Sequence, residues 1–148
     1  MANEILTNLW LGNIIDSRNT DFLNNIDIVI NCSKNIPFSN KKNHQIRIKV
    51  DDNLEKNEIV NMYKYLDAIT EYIHKSLINS KRIFVHCYAG KQRSATVICA
   101  YIMKYLDLSY NDATELIRNK RLIIFTPLPN FDGALKLFEM KLKEKSNI

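Results

Sequence analysis

The chain has 148 residues, of which 46% are hydrophobic and 25% charged, with a formal net charge of +5. That length supports one domain with its own core and is too short for two ordinary ones, so a single domain over residues 1–148 is expected. No run of about 18 apolar residues is present, which excludes a membrane-spanning helix, and three glycines with three prolines leave little room for a flexible linker.

The opening Met1-Ala2-Asn3-Glu4 has no basic and then apolar leader pattern, so no secretory signal is expected. Cys32, Cys87 and Cys99 are odd in number and irregularly spaced. They suggest no disulfide framework and point to a reducing compartment, cytosol or nucleus. His44, His74 and His86 are scattered without metal-ligand spacing, so no metal site is expected. The basic surplus, which includes Lys41, Lys42, Arg47, Lys91, Lys120 and Arg121, reads as a solvated surface or as a field that draws anions inward. No nucleic-acid-binding motif accompanies it.

Leu9-Trp10-Leu11 ending at Gly12 predicts a short strand and turn, and Asp16 to Asn25 a short helix. Asp27-Ile28-Val29-Ile30-Asn31 is a near-continuous apolar run, as in a strand buried on both faces. Gln45 to Val50 alternates, with Ile46, Ile48 and Val50 on one side, and stops at the loop signal Asp51-Asp52-Asn53. Glu55 to Leu77 carries an apolar helical face through Ile59, Met62, Tyr63, Leu66, Ile69 and Ile73. Ile83 to His86 is the next buried strand, and a helix over Arg93 to Leu106 follows it. Ser109-x-x-Asp112 is a capping box that opens a helix to Asn119. Thr126 to Pro129 reads as a turn, and a last amphipathic helix runs from Phe131 to Lys145. Strands alternating with helices predict an α/β fold: a mostly parallel central sheet of about five strands flanked by helices.

The segment between the second buried strand and its helix carries the chemistry. Cys87 precedes Arg93 by six positions, with Gly90 between them and the Ser94 hydroxyl directly after. A loop that opens a helix aims backbone N–H groups and the positive helix end at one point, which suits an anion and favours a thiolate. Cys87 is the candidate nucleophile, and the planar Arg93 fork can hold two oxygens of a phosphate. Gly90 permits positive φ, so that Tyr88, Ala89, Gly90, Lys91 and Gln92 can present converging amides. Ser94 can donate to the cysteine sulfur when it leaves. His86 is expected either to hold the loop and favour the thiolate, or to be a satisfied core residue. A leaving oxygen needs a proton, and Asp51 and Asp52 both follow a strand that ends on a neighbouring loop. Cys32 and Cys99 read as inert core cysteines.

Taken together these residues resemble the cysteine-dependent protein phosphatases, and their small dual-specificity branch in particular. His86 to Ser94 matches the signature H-C-x-x-G-x-x-R-[ST] in full, and Ile48-Lys49-Val50-Asp51-Asp52 fits I-x-V-x-D with Asp52 as the acid. The resemblance extends to Ile5-Leu6-Thr7-Asn8-Leu9-Trp10-Leu11-Gly12, to Ile30-Asn31-Cys32-Ser33, and to Pro127, Phe131, Leu135, Phe138 and Glu139 near the end. It implies hydrolysis of phosphotyrosine and phosphoserine or phosphothreonine in proteins through a thiophosphoryl-cysteine intermediate, without cofactors. Lys91 resembles a residue of the inositol-lipid branch, but Tyr88 stands where that branch has a second basic residue. Inositol-lipid or RNA 5′-phosphate hydrolysis, or a silent phospho-binding module, are the alternatives. Leu128 replaces an asparagine that braces the phosphate loop in the family, and Asn130 replaces a glycine. The resemblance implies either that Asn130 supplies that brace from a shifted position or that the loop is less braced and activity weaker.

Overall fold

The computed structural model of the chain describes residues 1–146. The two apolar runs are strands, β3 (Ile28–Asn31) and β5 (Ile83–His86), paired in parallel and buried at every residue. With β1 (Asn3–Leu6), β2 (Leu9–Gly12) and β4 (His44–Arg47) they form a five-stranded sheet in the order β1-β2-β5-β3-β4. Only the β1–β2 pair is antiparallel. β1 carried no strand signal of its own. It exists because Asn8, at φ 68°, turns the chain tightly enough to fold Asn3–Leu6 back onto β2, and asparagine tolerates that left-handed conformation.

The pleat sorts the strand side chains into two layers. Ile28, Ile30, Ile83 and Val85 face the main core, while Val29 and Phe84 join a smaller cluster with Leu23 and Ile26. Residues from α2 (Lys56–Ile78), α3 (Arg93–Tyr105), α4 (Tyr110–Arg118) and α5 (Asp132–Ser146) fill the main core. The other face is covered by Phe22, Leu23 and Phe38, the first two from the short α1 (Thr20–Leu23). Cover on both faces is why the central strands read as unbroken apolar runs. α3 is the central helix, with every residue from Ser94 to Met103 buried.

The four long helices lie within a residue or so of their expected limits, and the Ser109 hydroxyl accepts from the Asp112 amide at 3.1 Å. Two elements differ. The expected helix over Asp16–Asn25 is split into a 3₁₀ turn at Asp16–Arg18 and α1, with extended Asn19 between them. The Asn19 side chain accepts from the Phe22 amide at 3.2 Å and restarts the helix, a local bond that competes with continuing the first one. β4 stops at Arg47 rather than Val50 because the Val50 amide bonds Ile48 O at 3.0 Å and takes the chain off the sheet. Ile48 and Val50 stay buried all the same, so the alternation reported burial and not pairing.

Candidate active site

β5 ends at His86, level with Gly12 on β2 and Asn31 on β3, so residues 87–92 emerge at the carboxyl end of the sheet and run into α3. In open α/β sheets ligands bind at that end. Gly90 sits at φ 65°. A Cβ there would lie 2.6 Å from Gly12 O and 2.7 Å from Arg121 Nη2, so only glycine fits where the loop curls against β2. Cys87 lies on the floor, 2% exposed, with Sγ 3.1 Å from Ser94 Oγ.

A cleft of about 360 Å³ opens over this loop. Cys87, Tyr88, Ala89, Lys91, Gln92 and Arg93 line it together with Asp52, Thr126 and Asn130. The structure therefore brings the nucleophile and clamp candidates of one loop together with the acid candidate of another, and a third segment adds Thr126 and Asn130. Ser94 lies beneath them and His86 behind. A larger hollow of about 550 Å³ beside α4 and α5, lined by Tyr110, Arg118 and Asp132, holds none of these groups.

Arg93 Nη1 donates to Val50 O at 3.0 Å, while its buried Nε has no hydrogen-bond partner among the described residues. Unpaired buried donors are uncommon in folded proteins. One at the wall of a cleft is suited to an anionic guest.

The two aspartates part ways. The Asp51 amide donates to Glu58 Oε2 at 2.9 Å and its carboxylate lies 3.3 Å from Lys34 Nζ, outside the cleft lining. Asp52 lines the cleft, and its Oδ1 accepts from Asn130 Nδ2 at 2.9 Å. The Asn130 side chain thus reaches the acid candidate, and only its backbone amide meets the phosphate loop. The loop is tied by Gln92, whose Nε2 donates to Thr126 O at 3.2 Å and Leu128 O at 2.9 Å. Its Oε1 accepts the Asn130 amide at 2.9 Å. Leu128 itself is 72% exposed and contributes only its carbonyl to this brace.

His86 is 1% exposed and stacks on Phe84 with ring centroids 5.2 Å apart. Burial pushes its pKa down to about 4, so at neutral pH the ring is uncharged and lends no positive charge to the sulfur. Its place is structural, beneath the loop. Cys32 and Cys99 are buried, and burial pushes both thiols up, Cys99 to about 12. Cys32 adjoins the site, its amide bonded to His86 O at 2.8 Å.

Arg121 belongs to the basic surplus that reads in the sequence as a solvated surface or an anion-drawing field, yet it is 6% exposed. Its Nε donates to Gly90 O at 2.9 Å and its Nη1 to Met1 O and Asn3 Oδ1 at 2.9 and 2.8 Å. Arg47 is likewise occupied, bonding Ser33 O and Ile36 O and lying over the Phe38 ring. No spacing signal distinguishes such arginines from solvated ones, because their partners, mostly backbone carbonyls, are distant in sequence.

Residues 9–141 match the family model described as dual specificity phosphatase, catalytic domain. Human dual specificity protein phosphatase 9 is 36% identical over 145 residues, which are 95% of this chain and 36% of that protein. Protein 123R of Invertebrate iridescent virus 6, described as a candidate tyrosine phosphatase, is 36% identical over 146 residues and is matched over 96% of its length. The chain thus spans about a third of one human relative, about a fifth of human dual specificity protein phosphatase 16, and nearly all of the viral protein. The crystal structure of DUSP15 superposes with a TM-score of 0.80 at 28% identity, covering 97% of this chain and 96% of that one. With the signature loop at the carboxyl end of a matching sheet, the chain belongs to the dual specificity phosphatase catalytic-domain family.

Proposed function

We propose that the chain hydrolyses phosphomonoesters on phosphotyrosine and on phosphoserine or phosphothreonine in proteins, through a thiophosphoryl intermediate on Cys87. The observation that carries this reading is that Cys87, its Sγ 3.1 Å from the buried Ser94 Oγ, shares one cleft lining with Asp52 and with Arg93, whose Nε has no partner among the described residues. The Cys87 thiolate attacks phosphorus as the ester P–O bond breaks, and the Asp52 carboxylic acid delivers a proton to the leaving oxygen. Asn130 engages Oδ1 of that carboxyl, which leaves Oδ2 to carry the proton. Arg93 and the loop amides hold the phosphoryl oxygens. Water then attacks phosphorus, Asp52 takes its proton, and the sulfur departs as thiolate with the Ser94 hydroxyl donating to it.

Lys91 in the cleft lining supports a second reading, an inositol-lipid phosphate substrate. The other marker position holds Tyr88, which is not basic and is 63% exposed, so the protein reading is the stronger. A panel of phosphotyrosine peptide, phosphothreonine peptide and inositol-lipid phosphate, run in excess chelator, separates the two. Cys87→Ser is expected to abolish turnover while retaining phosphopeptide binding. Asp52→Asn is expected to lower kcat on the phosphothreonine peptide by roughly 10²- to 10⁴-fold and much less on an aryl ester with an acidic leaving group. If Asp51→Asn gives that pattern instead, the acid is misassigned. Faster turnover of the lipid than of either peptide would reverse the order of the two readings.

A further inference from the structure

The acid segment is held at each of three consecutive residues. Val50 O accepts from Arg93 at 3.0 Å, the Asp51 amide donates to Glu58 at 2.9 Å, and Asp52 accepts from Asn130 at 2.9 Å. The middle tether draws on three residues outside the cleft. Glu58 lies in the first turn of α2, with its side chain 7% exposed. It accepts Lys34 Nζ at 2.8 Å and Asn61 Nδ2 at 3.3 Å, and Asn61 also reaches Lys49 O at 2.9 Å. Lys34, from the loop after β3, touches Asp51 as well, at 3.3 Å.

The arrangement joins three segments: the loop after β3, the acid segment, and the start of a 23-residue helix packed on the core. A carboxylate this enclosed is costly to bury unless a cation and hydrogen bonds meet it. Both are present, and Lys34 holds the Glu58 carboxyl below the usual carboxylate range. Two residues beyond Asp52, Leu54 sits at φ 65° and is 68% exposed. A leucine in that region costs on the order of 1–3 kcal/mol and persists only where its surroundings impose it. The segment is therefore under tension next to the group whose position matters most.

We infer that Glu58, held by Lys34, is a positioning residue that fixes the acid segment so that Asp52 meets the leaving oxygen. This rests on the role given to Asp52 above. A proton donor matters when the leaving group is a poor one, so loosening the clamp acts selectively on alkyl esters. Glu58→Gln keeps an acceptor for the Asp51 amide and loses the ion pair. Lys34→Met removes the cation from a side chain that is 40% exposed and so spares the core.

The experiment compares kcat of both variants on a phosphothreonine peptide and on para-nitrophenyl phosphate. Each variant is expected to lose about 10- to 100-fold on the peptide, the scale of a displaced catalytic group, with little change on the aryl ester. Glu58→Gln placed in Asp52→Asn is expected to add no further loss, since both changes remove one function. Equal losses on the two substrates, or additive losses in the double variant, would overturn the clamp while leaving Asp52 as the acid. If Asp52→Asn itself shows no dependence on the leaving group, the acid assignment fails and the clamp goes with it.

Discussion

Gly90 makes the argument at the scale of a residue. Its φ of 65° turns the loop so that Gly12 O and the Arg121 guanidinium approach within contact of where a Cβ would sit. Gly90→Ala is expected to cost about 1–3 kcal/mol in backbone strain alone, with more from the displaced neighbours. Because the loop also sets the geometry of Cys87 and Arg93, kcat/KM should fall by on the order of 100-fold. Urea denaturation and steady-state kinetics on the same preparation read both effects. Unchanged kinetics in a destabilised variant would show that the loop tolerates the shift. Asn130 shows the complementary point. Its side chain reaches Asp52, while Gln92 ties the loop to Leu128 O and to the Asn130 amide.

At the scale of elements, Arg121 links the end of α4 to the phosphate loop and to the first strand. It follows Lys120 just beyond α4, and its fork spans Gly90 O, Met1 O and Asn3 Oδ1. Burial pulls its pKa down, and these acceptors are what make a buried cation tolerable. Arg121→Met is expected to destabilise by about 3 kcal/mol, the scale of charged hydrogen bonds lost from a buried site. It should also lower kcat, because Gly90 is freed. Arg121→Lys should not restore either quantity, since an ammonium cannot bond to Gly90 and Asn3 in the geometry of the guanidinium. Full recovery in the lysine variant would mean that charge alone matters there.

For the whole molecule the sharpest expectation concerns acid. His86 is uncharged in the fold, with a pKa pushed down from 6.5 to about 4 by burial between the sheet and its cover. Between those values the unfolded chain binds the proton more readily than the folded one. Acidification through that window therefore favours unfolding; the contribution is intact above pH 6.5 and gone by about pH 4. The shift corresponds to roughly 3 kcal/mol. His86→Asn, which cannot titrate, should flatten the decline in urea midpoint over the same range. An identical decline in the variant would assign it to the carboxylates, among them Glu58 and Asp67, which Lys34 and Lys141 hold below their usual range.

Local chemistry decided what the sequence could announce. The unbroken apolar runs declared strands covered on both faces, helical periodicity placed the four long helices, and the nine residues from His86 to Ser94 declared a loop for an attacked anion. Each depends on neighbours in the chain, and β4 fell short only because a turn at Ile48–Val50 ended pairing without ending burial. Tertiary structure alone decided which aspartate faces the cleft, why Asn130 reaches it, and which arginine is buried beneath the loop. Those outcomes depend on Lys34, Glu58, Gln92 and Arg121 meeting partners from 7 to 120 positions away. Residue type and spacing carry no record of such a meeting. Only the packed sheet and helices bring the two ends of each contact together.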